Sequence, residues 1–487
     1  MSGILPFFGH MFKFMRPPGP HVLDVEYRNK LGKVYGMYFA TAPELVVGDV
    51  DLLNDVLVRD FSNFTNRRTF RDKEDEFKTQ SLIDQAVSII TDEHWKRVRN
   101  TMTPTFTSGK MKAMLPLVRD AVNTLTAIFE ECAKTKQPVD VKKHFSCFTM
   151  DVVCNVAFGT QVDSQRNPDN PVIVNAKKIM DFKFFQPSIF FMMLFPWTAR
   201  QLQDRFGRLM MFHDEEQFFR GVLTKLIQDR RNNPRKTPDF LQLMLRAHEE
   251  EIQAEEGPSE GIEMGNSSVA GMGQQKTKLT ETEVMAQCFI FLLAGFDTTA
   301  SGLSFLAYNL AKNPDVQQQI REEILEVAGP TNDITYEMIQ RQLPLLDAAW
   351  METLRIFPPL PRFDRVARAD YDLAGIRIPA GASVTVPAYA IHHDPELYPE
   401  PEKFDITRFS PEERSQRHPL TFLPFGYGPR NCVGMRFAQM EIKLCFAYLL
   451  RDFKFEACSQ TEDKLELLTT NLMRPKNPVM LQIVRLE

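Results

Sequence analysis

Cys432 stands in the segment FLPFGYGPRNCVGMRFA (422–438), just after Gly426 and Gly428 and just before a helical pattern. A thiol at a helix N-terminus faces free N–H groups that stabilise negative charge, so the position favours the thiolate, the metal-binding form. Glycines let the backbone bend tightly and approach a flat ligand. Arg430, two residues upstream, is placed to pair with a ligand carboxylate. A buried cysteine taken alone is more often a small hydrophobe. Here the pattern F-x-x-G-x-R-x-C-x-G is filled at every position by Phe425, Gly428, Arg430, Cys432 and Gly434.

Three further groups stand in order along the chain. Trp95 and Arg99 in EHWKRVR have i, i+4 spacing and share a helix face. Ala294-Gly295-Phe296-Asp297-Thr298 interrupts the apolar stretch FIFLLAGFDTTASGLSFLAYNL with small and polar residues. A threonine there either back-bonds to its own helix or holds a water, and the adjacent carboxylate can feed it protons. Glu352 and Arg355 in METLRIFPP are three apart on one helix face, a spacing that also arises often on exposed helices.

These residues need a scaffold. With 487 residues, 43% hydrophobic and 25% charged, the composition is that of a globular protein. A net charge of −5 argues against a nucleic-acid binder. The 39 phenylalanines against 10 tyrosines suit an apolar core or a large apolar cavity. Seven sparse cysteines without C-x-x-C spacing exclude a disulfide framework, zinc ribbons and the attachment signature of c-type haem. No run of eighteen apolar residues is present.

Residues 34–50 read as a β-hairpin, and 371–391 as strands around the turn PAG. Most of the remainder has helical periodicity. Thr280 and Glu283 have capping-box spacing and open a helix that runs to Asn313, before Pro314. Residues 254–278 read as a flexible loop. The Phe-rich segment 182–197 is either buried or dips into a membrane surface. The expected fold class is mainly α with small β-sheets, in one catalytic domain over 1–487.

The Cys432 segment resembles the haem-binding loop of the cytochrome P-450 superfamily, the haem-thiolate monooxygenases. The resemblance implies a P-450 fold, with heme b between a long central helix and the cysteine loop, and Cys432 as axial ligand to iron. It implies that Arg430, Trp95, Arg99 and Arg365 reach the propionates, with His392 nearby, and that Phe425, Gly434 and Ala294 line the cofactor. Ala294–Thr298 resembles the oxygen-activation segment, with Thr298 and Asp297 catalytic. Glu352 and Arg355 resemble a buried structural pair, completed by Arg408 in DITRF, where Ile406 and Thr407 replace the family's Pro and Glu.

The likeness is greatest to the animal microsomal group containing the family-three drug and steroid oxidisers. It is carried by WKRVRNTMTPTFTSGKMKAMLP, NPDVQQQIREEI and GPRNCVGMRFAQMEIKL. It implies an apolar small-molecule substrate, peripheral membrane contact and the cytoplasmic face of the endoplasmic reticulum membrane. Residues 1–20 resemble the proline-rich hinge that follows the family's membrane anchor. No Gly-rich dinucleotide fingerprint is present, so electrons are expected from a separate NADPH-cytochrome P-450 reductase, with cytochrome b5 as a second donor. Lys96, Arg97, Lys110, Lys112, Arg436 and Lys443 are the expected docking charges. Two other readings share the haem: an isomerase of hydroperoxides or endoperoxides, for which a proton relay has no use, and a non-enzymatic haem sensor.

Overall fold

The computed structural model describes residues 8–15, 19–39, 41–69, 81–181, 212–233, 239–249, 279–330, 332–468 and 472–486. The segments 182–197 and 254–278, and part of the hinge-like 1–20, lie outside the described residues.

The body is helical. Five helices position the site: α1 (Asp92–Met102), α2 (Val141–Phe158), α3 (Glu281–Lys312), α4 (Pro344–Ile356) and α5 (Met435–Asp452). α3 starts at the expected capping box: the Thr280 hydroxyl accepts from Glu283 N at 3.1 Å, and the Glu283 carboxylate accepts from Thr280 N at 2.6 Å. It ends at Asn313, because Pro314 has no N–H to continue the ladder. α3 is the one described helix long and apolar enough to cross a membrane, yet most of it is buried within the protein.

Two large cores flank α3 along its length. Val284 to Phe296 pack with α1, half of α2 and helices from 213–249. Ala300 to Ala311 pack with α4, α5 and the other half of α2. The stretch between them, Asp297-Thr298-Thr299, falls at the seam. Phe291 and Val433, the latter next to Cys432, pack against both cores. The polar interruption of α3 therefore sits where the two cores separate.

A four-stranded sheet closes one side: β1 (Val34–Phe39), β2 (Ala42–Val47), β3 (Phe363–Val366) and β4 (Ser383–Val386), in the order β1-β2-β4-β3. β1 and β2 form the expected hairpin, with Val34 opposite Val47. β2 and β4 run parallel, β3 and β4 antiparallel with Phe363 opposite Val386. The second β signal gives strands on both sides of PAG, as expected, Ile376–Ile378 before it and β4 after it, although the two join different sheets. Its tight turn is Ala374-Gly375, both at positive φ, between Tyr371–Leu373 and Ile376–Ile378, while PAG leads into β4.

Candidate active site

The cysteine loop is held from below. Gly428 has φ +74°, and a Cβ there would collide with Leu57 O, so only glycine fits. Cys432 N donates to Phe425 O at 2.9 Å and closes the loop. Gly434 is the N-cap of α5, and a Cβ added to it would meet no neighbour. Cys432 itself is accessible on one face. Across the seam, Ala294 is exposed in the midst of buried α3 residues, with Ile290, Phe291 and Thr298 partly open beside it. That accessible stripe recurs at three- and four-residue spacing, one face of a helix.

Burial pushes the Cys432 thiol up, while the Gly434 and Met435 N–H groups and the charges of Arg99 and Arg67 pull it down; the net shift is upward. Those N–H groups and cations favour the charged form of the thiol against desolvation by the surrounding protein. A coordinated metal cation would deprotonate it.

Arginines surround this loop. Arg99 donates through both amino groups to Asn431, to its backbone O and its Oδ1, each at 2.9 Å. Arg430 donates to Thr65 O (2.8 Å) and Ile90 O (2.7 Å), with its guanidinium 4.9 Å from the centre of the buried Trp95 ring. Arg365 is fully buried; its Nη1 donates to Asp364 O, but Nε and Nη2 have no hydrogen-bond partner among the described residues. Arg67, which no sequence motif marked, donates to Arg430 O at 3.3 Å and leaves Nε unpartnered. Burial lowers the pKa of Arg67, Arg99 and Arg365, the last to about 9 with Arg67 contributing. Buried cations with unused donors call for an anion. An acidic, flat group lying against Gly434 fits this set.

On α3, Thr298 Oγ1 donates to Ala294 O at 2.6 Å, so the hydroxyl back-bonds while lying beside the open face. Asp297 points elsewhere. Its Oδ1 accepts from Lys142 Nζ of α2 at 2.9 Å, the same Nζ donates to Ser301 Oγ at 2.8 Å, and Arg474 lies 3.8 Å from Oδ2. Burial raises the Asp297 pKa, but Lys142 and Arg474 outweigh it and the net shift is downward. Lys142 was not legible in sequence, since its partner is 155 residues away.

The structural triad is present. Arg355 donates to both oxygens of Glu352 at 2.7 and 2.8 Å, and Arg408 Nε lies 3.4 Å from Glu352 Oε1. His392 is corrected: its Nδ1 faces Arg355 O at 3.1 Å and its Nε2 accepts from Leu423 N at 2.8 Å, so both nitrogens bind backbone. The expected docking charges are corrected in part. Lys443 is buried on Asp347 at 2.9 Å, and Arg97 is turned inward to Glu283.

The helical body brings a glycine-bent cysteine loop and buried arginines to the polar interruption of a long helix, an arrangement suited to holding an acidic, metal-bearing cofactor. A family model described as Cytochrome P450 matches residues 2–483. Rat cytochrome P450 3A2 is 37% identical over 486 residues, covering 99% of this chain and 90% of that protein. Mouse cytochrome P450 3A11 is 36% identical over 482 residues, with 99% and 90% covered. Cytochrome P450 3A30 of Fundulus heteroclitus is 36% identical over 482 residues, with 99% and 91% covered. The chain belongs to the cytochrome P450 family: it is a monooxygenase whose haem takes a cysteine thiolate as axial ligand.

Proposed function

We propose that Cys432 is that ligand and that the chain, acting as a single catalytic domain, oxidises apolar small molecules such as xenobiotics, steroids or lipids. The observation that carries the reading is the accessible Cys432 thiol on its glycine-bent loop, with buried Arg365 and half-buried Arg67 keeping unused donors nearby. A haem held there would supply the O2 chemistry, in which one oxygen atom enters a substrate C–H bond and the other leaves as water with two electrons and two protons.

The chain supplies the rest. Arg365 and Arg67 have free donors for the cofactor's carboxylates, and Trp95, Arg99 and Arg430 brace the same edge. Gly434 and Ala294 leave room for its two faces, and Phe425 closes the cysteine loop. Thr298 holds a proton at Oγ1 and delivers it by turning from Ala294 O toward the open face. Asp297 acts beside it as the neighbouring carboxylate; at rest its Oδ1 is held by Lys142 and its Oδ2 lies 3.8 Å from Arg474, so it passes a proton toward Thr298 only by turning from these cations.

Electrons come from a separate NADPH-cytochrome P-450 reductase, with cytochrome b5 as a second donor, at the cytoplasmic face of the endoplasmic reticulum membrane. Lys96, Lys110, Lys112 and Arg436 remain as open or partly open basic residues to meet an acidic partner. The test is the spectrum of the reduced, CO-bound protein, followed by NADPH consumption with reductase. A red-shifted Soret band that Cys432→Ser abolishes is expected; a band at the position of histidine-ligated haem would overturn the assignment.

A further inference from the structure

The back of the α3 interruption is gripped by one neighbouring helix, at successive residues. α2 presses Val153 against Gly295 so closely that a Cβ on that glycine would lie 2.8 Å from Val153 Cγ2. One residue on, the Thr149 hydroxyl donates to the backbone carbonyl of Phe296 at 3.0 Å; its other acceptor, Ser146 O at 3.2 Å, lies in its own helix. Thr149 is fully buried, so no water competes for that proton. At ~100° per residue, residue 296 lies ~200° round the helix from Ala294. The carbonyl held by Thr149 is therefore on the far side from the face where Thr298 bonds Ala294 O.

A helix whose carbonyls take side-chain hydroxyls bends or loosens locally. Here one turn of α3 carries two such bonds. The Thr298 bond is internal to α3 and moves with it. The Thr149 bond reaches another helix and ties α3 to a fixed point. With the Gly295–Val153 contact at the limit of approach, α3 can neither roll nor slide at this turn without breaking a contact.

We infer that α2, through the Thr149 hydroxyl and the Val153 side chain, sets the roll and register of α3 at Gly295–Phe296 and so the aim of the Thr298 hydroxyl. Thr149 and Val153 are positioning residues; neither touches substrate or cofactor. The inference rests on the reading of Thr298 as the proton-delivering group.

Thr149→Val keeps the volume and removes the hydroxyl, and Thr149→Ser restores it. In the haem-loaded enzyme with reductase, Thr149→Val is expected to keep the CO spectrum and Tm but raise the share of electrons lost to peroxide several-fold. Thr149→Ser returns that share to the wild-type level. In the resting protein, amide exchange over 294–302 is expected to quicken in Thr149→Val and recover in Thr149→Ser. A role in stability alone would lower Tm and leave coupling untouched. Should Thr149→Val not fold, the pair Gly295→Ala and Gly295→Ala with Val153→Ala asks the same question: the single variant uncouples, and trimming Val153 restores coupling.

Thr298→Ala is run beside them. If it uncouples while Thr149→Val stays coupled with unchanged exchange, the positioning role is wrong and the reading of Thr298 stands. If Thr298→Ala stays coupled, the reading of Thr298 fails and the positioning role falls with it, whatever Thr149→Val does.

Discussion

Lys142 Nζ lies 2.9 Å from Asp297 Oδ1, joining the first turn of α2 to the residue before Thr298. Both side chains are largely buried, so the pair is shielded from salt. Breaking a buried pair from one side leaves an uncompensated charge and typically costs about 3–5 kcal/mol. Lys142→Met is therefore expected to lower Tm at neutral pH. The sign of its pH dependence follows from the depressed Asp297 pKa. A carboxylate with lowered pKa stabilises the fold above its unfolded pKa, about 4, and that contribution fades as pH falls through its folded pKa. The Tm gap between wild type and Lys142→Met should be full from pH 6 to 8 and narrow as pH falls below ~4. A constant gap would mean that Asp297 is not what Lys142 stabilises.

Thr298→Ala should leave the haem spectrum intact and divert electrons into peroxide. The hydroxyl sits beside the open face and bonds only its own helix, so removing it breaks no long-range contact. Its loss should harm product yield more than NADPH consumption. Full coupling in Thr298→Ala would assign proton delivery to another group.

The fold was legible where the rule is local. Thr280 and Glu283 satisfy each other within one turn, and Pro314 ends α3 without outside help, so both helix ends stand where spacing placed them. The Glu352–Arg355 pair was legible for the same reason, being three residues apart. What escaped was long-range. Arg67 meets Arg430 from 363 positions away, and nothing in NRRTF marks it as interior. Lys142 reads as an ordinary first-turn lysine until α2 packs on α3. His392 fails differently: its residue type suggested a ligand contact, while its backbone partners, Arg355 and Leu423, are visible only in the folded chain.

Arg365 should be needed to retain the cofactor. Its Nε and Nη2 have no partner among the described residues, and burial pulls its pKa down to about 9. A carboxylate there would stabilise the charged form and gain charge-assisted hydrogen bonds worth ~1.5–3 kcal/mol, or roughly 10- to 100-fold in affinity. Arg365→Gln is expected to speed haem transfer to an apo-globin acceptor by that order, with its CO spectrum unchanged before transfer. Loss at the wild-type rate would mean that Arg365 does not face the carboxylates.

Glu441 is the opposite case, a buried acid without a cation. It lies on α5, fully buried in the larger core, and neither carboxylate oxygen has a hydrogen-bond partner among the described residues. Burial raises its pKa well above the ordinary value and so favours its neutral form. An unsatisfied buried polar group costs about 1–3 kcal/mol even when uncharged. Methionine has a similar length, no hydrogen-bonding demand and enough flexibility to fill the same space. Glu441→Met is therefore expected to raise Tm by a few degrees, and Glu441→Gln, which stays polar, by less. The pH trend runs opposite to that of Asp297. A carboxyl whose folded pKa is raised stabilises the fold fully only below its unfolded pKa, about 4.3, and that contribution is lost progressively as pH rises toward the folded value. The advantage of Glu441→Met should thus be small near pH 5 and larger at pH 8. Thermal melts of the two proteins at both pH values decide it: a variant no more stable than wild type at pH 8 would show that the Glu441 carboxyl is satisfied in the fold.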